Sequence, residues 1–186
     1  GRAGMVEIFR KTSQSNDDSV EHSYTYIQTL AGATSDGSTL NTSFGDTLAM
    51  SKDGTTLIVG APGVDNGNQA DAGAVYYYKW DADGDSTLSY SLQQTINAPV
   101  VGTNLRFGSS LDINETGSRI VIGAENFGNS RDMRFDSGET TFDLQDTTIV
   151  DLNTESGSAY TATLYNTKYV IDDRLNIDSV TSNDDY

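Results

Sequence analysis

The side chains that could do chemistry are carboxylates and aromatic rings, and they fall in three short stretches. Asp81, Asp83 and Asp85 alternate around Gly84. Carboxylates crowded on one turn repel one another, and a divalent cation would relieve that repulsion, so Ca²⁺ is the cofactor to consider. The stretch starts like an EF-hand loop but lacks its spacing and terminal Glu, and a solvated acidic turn is the simpler alternative. Asp65, Asn66, Asn68 and Asp71 crowd a second polar loop. Tyr76, Tyr78 and Trp80 belong to the run Tyr76-Tyr77-Tyr78-Lys79-Trp80, whose alternation as a strand sends rings to both faces. Exposed rings beside Asp and Asn would suit stacking on sugars; packing between layers competes with that expectation.

Catalytic chemistry has little to stand on. The single histidine, His22, lies in a polar stretch, and there is no cysteine and no Gly-x-Ser-x-Gly elbow. A triad needs an activated nucleophile and an orienting acid around the base, and zinc needs more nitrogen or sulfur ligands. No pair among the 27 acidic residues stands out as a glycosidase pair. The expectation is a protein that is not an enzyme.

The elements that would position these residues are strands. Eighteen glycines and ten tyrosines, with only 35% hydrophobic residues, suggest turns between short aromatic and β-branched runs. No stretch keeps a 3.6-residue apolar period, and none approaches the roughly 20 apolar residues of a membrane span. A formal charge of −16 repels phosphate backbones and argues against a nucleic-acid partner. The chain starts without Met or a leader pattern, as expected of a processed product or a piece of a longer polypeptide.

The clearest organising signal is an internal repeat. Phe44 to Pro62 (FGDTLAMSKDGTTLIVGAP) aligns without a gap with Phe107 to Glu125 (FGSSLDINETGSRIVIGAE), 63 residues on, with six of 19 positions identical. Ala3 to Phe9 resembles Ala72 to Tyr78, and more loosely Ser156 to Tyr160; Tyr24 to Leu30 matches Tyr90 to Ile96. One unit then has four strands, at 44–51, 56–61, 73–80 and 88–96, with Asp-Gly hairpin turns at 53–54 and 83–84. Four antiparallel strands in about 60 residues is the size of a propeller blade.

This ordered set of Phe-Gly, an Asp-Gly turn, a strand ending Gly60-Ala61-Pro62 and Gly73-Ala-Val-Tyr-Tyr resembles the FG-GAP repeat, which builds the β-propellers of integrin α-subunits and many surface proteins. The resemblance implies an all-β chain of about two and a half blades. These are a partial blade at 1–43, a complete one at 44–106, and one at 107–186 with a long insertion at 125–155 and a polar tail. It also implies that Phe44 and Phe107 anchor the blades, with Gly45 and Gly108 allowing close approach. In the integrin-like relatives a cation sits between the first two strands. The corresponding Ser51-Lys-Asp-Gly54 and Asn114-Glu-Thr-Gly117 offer too few oxygens, so that site is not carried over.

Open blades leave strand edges exposed, so either a longer polypeptide or neighbouring copies would complete them. The functional expectation is an extracellular, cell-surface or virion-associated structural or adhesive segment. Its loops 63–72 and 125–155 would contact a partner protein or other copies of itself. A carbohydrate- or calcium-binding module, or the propeller portion of a larger extracellular enzyme, are the alternatives. Asn41-Thr-Ser43 and Asn114-Glu-Thr116 are glycosylation sequons in expected turns.

Overall fold

A computed structural model describes residues 4–11, 23–32, 41–81, 89–100, 102–125 and 157–175. Among these the regular structure is all β, in three antiparallel sheets. The first pairs β1 (Met5–Lys11) with β2 (Tyr24–Ala31). The second runs in the order β3 (Thr47–Met50), β4 (Thr56–Ala61), β5 (Ala74–Asp81), β6 (Ser89–Asn97). The third repeats that meander with β7 (Phe107–Ile113), β8 (Arg119–Ala124), β9 (Ser158–Tyr165) and β10 (Lys168–Leu175). We call these sheets blades 1, 2 and 3. They are blades of the propeller kind, and blade 1 is represented by its two outer strands.

The strand expected from residue 44 starts three residues later. Gly45 takes φ +86° and donates to Gly60 O at 3.0 Å, while Asp46 N closes a turn on Ser43 O at 3.1 Å. A residue at positive φ breaks the regular strand path, so Phe-Gly forms a corner that drops the Phe ring into the core. Gly108 repeats the corner at φ +90°, beside a register shift between Phe107 and Ser110. The hairpin β9–β10, turning at Asn166 with φ +57°, was not legible in the repeat.

Two apolar layers lie between the blades. One joins Val6 and Leu30 of blade 1 to Phe44, Leu57, Val59, Tyr76 and Tyr78 of blade 2. The other joins Ile58, Val75, Tyr77 and Ile96 of blade 2 to Phe107, Ile120, Ile122 and Tyr160 of blade 3. Blade 2 is thus covered on both faces, which explains the unbroken apolar run of β4, buried throughout. In β8 the same motif alternates between buried and open, because the described residues cover only one face of blade 3.

Candidate functional site

The blade faces are built from one repeated joint. In blade 1, Gln28 Oε1 accepts from Tyr90 N at 2.6 Å and its Nε2 donates to Tyr90 O at 3.0 Å. Between blades 2 and 3, Gln94 treats Tyr169 the same way, at 2.7 and 2.9 Å. Each glutamine follows a register shift in its outer strand, opposite Ile8/Phe9 and Tyr77/Tyr78 respectively. The bulge re-aims the amide sideways, so one side chain satisfies both backbone groups of a strand in the next blade. The same tyrosines then reach inward. Tyr90 Oη donates to Gly54 O at 2.5 Å, and Tyr169 Oη donates to Gly117 O, at the equivalent turns of the two repeats. Burial pushes both phenols up; Asp53 adds to the effect at Tyr90 and Tyr77 at Tyr169.

Phe44 stands edge-on to Tyr76 at 5.2 Å and to Tyr78 at 6.4 Å, and Phe107 stands edge-on to Tyr160 at 5.5 Å. Tyr76 and Tyr78 were expected as surface candidates; they are 4% and 5% exposed, and that expectation is corrected. Their strand is central and covered on both faces, so the rings pack between blades. Burial, with Tyr76 nearby, pushes Tyr78 up to about 12. Trp80 is half-buried, with Tyr90 edge-on at 5.0 Å and the Arg10 guanidinium 5.2 Å from its ring centre. Its indole closes the outer seam between blades 1 and 2.

The loop after β4 is a brace between blades 2 and 3. Asp65 Oδ1 accepts from Asp71 N at 2.9 Å, and Asn66 and Gln69 exchange backbone bonds at 3.0 and 3.1 Å. The carbonyls of Ala70, Asp71 and Ala72 then accept from the amides of Asn104, Arg106 and Phe107. The side chains of Asp65, Asn66 and Asn68 remain exposed and available to a partner.

Asp53, in the first hairpin turn, spends its carboxylate locally. Oδ1 accepts from Ser51 Oγ at 2.7 Å and from Thr55 N at 3.0 Å, and both oxygens take the Thr55 hydroxyl. The Ser51 bond, then Thr55, hold its pKa below the ordinary value. The Asn114 amide likewise ties its own turn, to Arg119 N, Ser118 Oγ and Thr116 Oγ1. Asn41 is exposed in a turn at φ +61°. No group of three or more His, Cys, Asp or Glu able to hold a metal occurs among the described residues. Asp81 ends β5, while Asp83, Asp85, His22 and nearly all of 125–155 lie outside the described residues. Glu125 is described; its carboxylate meets Arg106 Nε at 2.6 Å.

The outer faces of blades 1 and 3, as the described residues leave them, differ in character. Blade 1 turns Met5, Phe9, Tyr24 and Tyr26 outward, between 51% and 63% exposed, with Phe9 edge-on to Tyr26 at 5.8 Å. Blade 3 turns outward a shallow groove of about 440 Å³ lined by Asp112, Arg119, Val121, Thr161, Tyr165 and Asp172 among others. Where blade 2 meets its neighbour with Ala49, Ile58 and Tyr77, blade 3 offers Asp112, Val121 and Thr161 at the matching register positions.

Comparison with known families agrees with these blades. The family model described as the FG-GAP repeat matches residues 32–78, which run from the end of β2 through the Phe-Gly corner to β5. Over that span the chain is similar to the FG-GAP repeat, and the described part of the span folds as β structure. No curated protein matches the chain. No helix among the described residues is long and apolar enough to cross a membrane.

Proposed function

We propose that this chain is a non-enzymatic structural or adhesive β-propeller segment, exposed outside the cell or on a virion, that contacts a partner protein or further copies of itself. The observation that carries this is the blade 1 face, where Met5, Phe9, Tyr24 and Tyr26 stand exposed beside the strand edge of β1. Clustered exposed rings next to a strand edge favour protein contacts. Light scattering over a concentration series, with electron microscopy of the same sample, tests the self-contact branch. Rings, filaments or dimers that dissolve on Phe9→Arg support it. A monomer at every concentration, unchanged by Phe9→Arg, removes that branch and leaves only a foreign partner.

A second function is favoured by the blade 3 groove, where the Tyr165 ring, 58% exposed, stands among Asp112, Asn114 and Asp172. A ring beside hydrogen-bonding groups is a surface on which a sugar could stack. A glycan array read with and without EDTA separates this from the first. Glycan signal lost on Tyr165→Ala would favour a lectin, and a blank array would count against it.

A further inference from the structure

Asn66-Gly67 is the one Asn-Gly pair in the 186 residues. It sits at the tip of the loop after β4, where Asn66 and Gln69 exchange backbone bonds across the turn Gly67-Asn68. Gly67 takes φ +61° at the first central position of that turn, which favours glycine. A side chain there would meet nothing within 4 Å. Both residues are exposed. Among the described residues, neither the Asn66 side chain nor the Gly67 amide has a hydrogen-bond partner. An unhindered backbone nitrogen thus lies next in the chain to an uncommitted carboxamide. The Asp53-Gly54 turn shows the opposite arrangement. There Ser51 and Thr55 take up the carboxylate, and Gly54 N donates to Ser51 O at 2.9 Å.

We propose that Asn66 is a self-modifying site, converted by water, through a succinimide formed with Gly67, into a mixture of aspartate and isoaspartate while the blades stay folded. Gly67 N gives up its proton to solvent base and attacks Asn66 Cγ. The new N–Cγ bond closes the ring, the Cγ–Nδ2 bond breaks, and Nδ2 takes a proton and leaves as ammonia. Water then adds to either ring carbonyl and reopens the ring. The sum is one water consumed and one ammonia released, with nothing oxidised or reduced.

The two products act differently on the brace between blades 2 and 3. Aspartate only adds a negative charge beside Asp65. Isoaspartate also runs the main chain through the former side chain, adding one methylene between Asn66 and Gly67, so the Asn66–Gln69 bonds lose their register. The base of the loop stays pinned, because Gly73 N donates to Val64 O at 2.9 Å. Loosening should therefore be greatest at Asn104 N, held by Ala70 O next to the turn, and least at Phe107 N, held by Ala72 O next to the base. The inference stands apart from either reading of the outer blade faces.

The test keeps the full chain folded at mildly alkaline pH and maps its peptides by mass spectrometry, with an isoaspartate-specific methyltransferase to count the rearranged product. Conversion at Asn66 should run within roughly tenfold of the rate in guanidinium-unfolded chain, since two exposed backbone bonds are all that hold the turn. It should also run well ahead of Asn68, whose following residue Gln69 carries a side chain and commits its amide to Asn66 O. Asn66→Gln, whose longer side chain closes a ring far less readily, should abolish the labelling. Asn66 left intact in the folded chain while the unfolded chain converts would overturn the proposal. So would equal conversion at Asn68. Hydrogen exchange by NMR reads the consequence. The Asn104 amide should exchange roughly two- to tenfold faster in aged protein, the value of one hydrogen bond, and not in fresh Asn66→Asp. Equal acceleration in both would assign the effect to charge and overturn the lengthened turn. No acceleration in either would remove the effect on the brace.

Discussion

Gln94 grips the backbone of Tyr169 at both ends, its Oε1 accepting from the N–H at 2.7 Å and its Nε2 donating to the carbonyl at 2.9 Å. Gln28 does the same to Tyr90. A side-chain amide has one donor end and one acceptor end in fixed geometry, which matches the spacing of a strand's N–H and C=O. The blades are therefore joined by polar clasps at the rim as well as by apolar layers inside.

Removing a clasp leaves two part-buried backbone groups unmatched. Gln94→Ala should cost about 1–3 kcal/mol, read as a lower urea midpoint at unchanged slope. Gln93→Ala, one residue away on the exposed bulge, should stay within about 0.5 kcal/mol. Equal losses for the two would mean that the clasp contributes nothing beyond the strand.

The Phe-Gly corner should be the most sensitive point of blades 2 and 3. Phe107, fully buried against Tyr160, should cost about 3–5 kcal/mol on change to Ala. Gly73→Ala should also be severe. Its φ of +84° disfavours a side chain by about 1–2 kcal/mol, and an added Cβ would overlap the Phe107 backbone. Thermal unfolding of both variants checks this; a mild Gly73→Ala would show that blade 3 can shift away from blade 2.

Asp53 should give the protein an acid-sensitive component. Its folded pKa lies below the unfolded one because Ser51 and Thr55 donate to the carboxylate. The stability it contributes is present above the unfolded pKa, near 4, and is lost as pH falls through the folded value. Unfolding curves between pH 2 and 6 should therefore show a smaller acid loss for Asp53→Asn than for the parent chain. Parallel curves would dismiss the turn as a contributor.

Alkali should act on the tyrosine layers. Tyr76, Tyr77, Tyr78, Tyr90 and Tyr169 are all raised, burial being the first cause. The folded state thus favours the neutral phenols, and stability should fall as pH rises above the unfolded value near 10. Absorbance titration near 295 nm should show a late step for the buried tyrosines, coincident with loss of β-sheet circular dichroism. A single step near pH 10 with the fold intact would contradict the burial.

The repeat was legible because its signals are local: Phe-Gly corners, Gly turns and apolar runs occupy fixed spacings in both copies. Aligning Tyr24–Leu30 with Tyr90–Ile96 even set Gln28 opposite Gln94, although identity alone does not say what an amide grips. Tyr169 was hidden because β10 has drifted, with Asp173 where the other outer strands keep Gln. Tyr76 and Tyr78 misled for a different reason. Alternation along one strand tells which rings share a face, and says nothing of whether a neighbouring sheet covers that face.

Lys52 and Glu115 hold the same place in successive repeats, 63 residues apart, and they meet at 3.0 Å, with Lys52 N also donating to Glu115 O. Both side chains are more than 70% exposed, so the ion pair itself contributes little. Its importance is to the order of assembly. A chain made of strict copies would set like charges against each other there, at every seam. Near-identical tandem units also tend to pair with the wrong neighbour while folding. Divergence at such seams gives each blade an address, so that the second knows the third from a duplicate of itself.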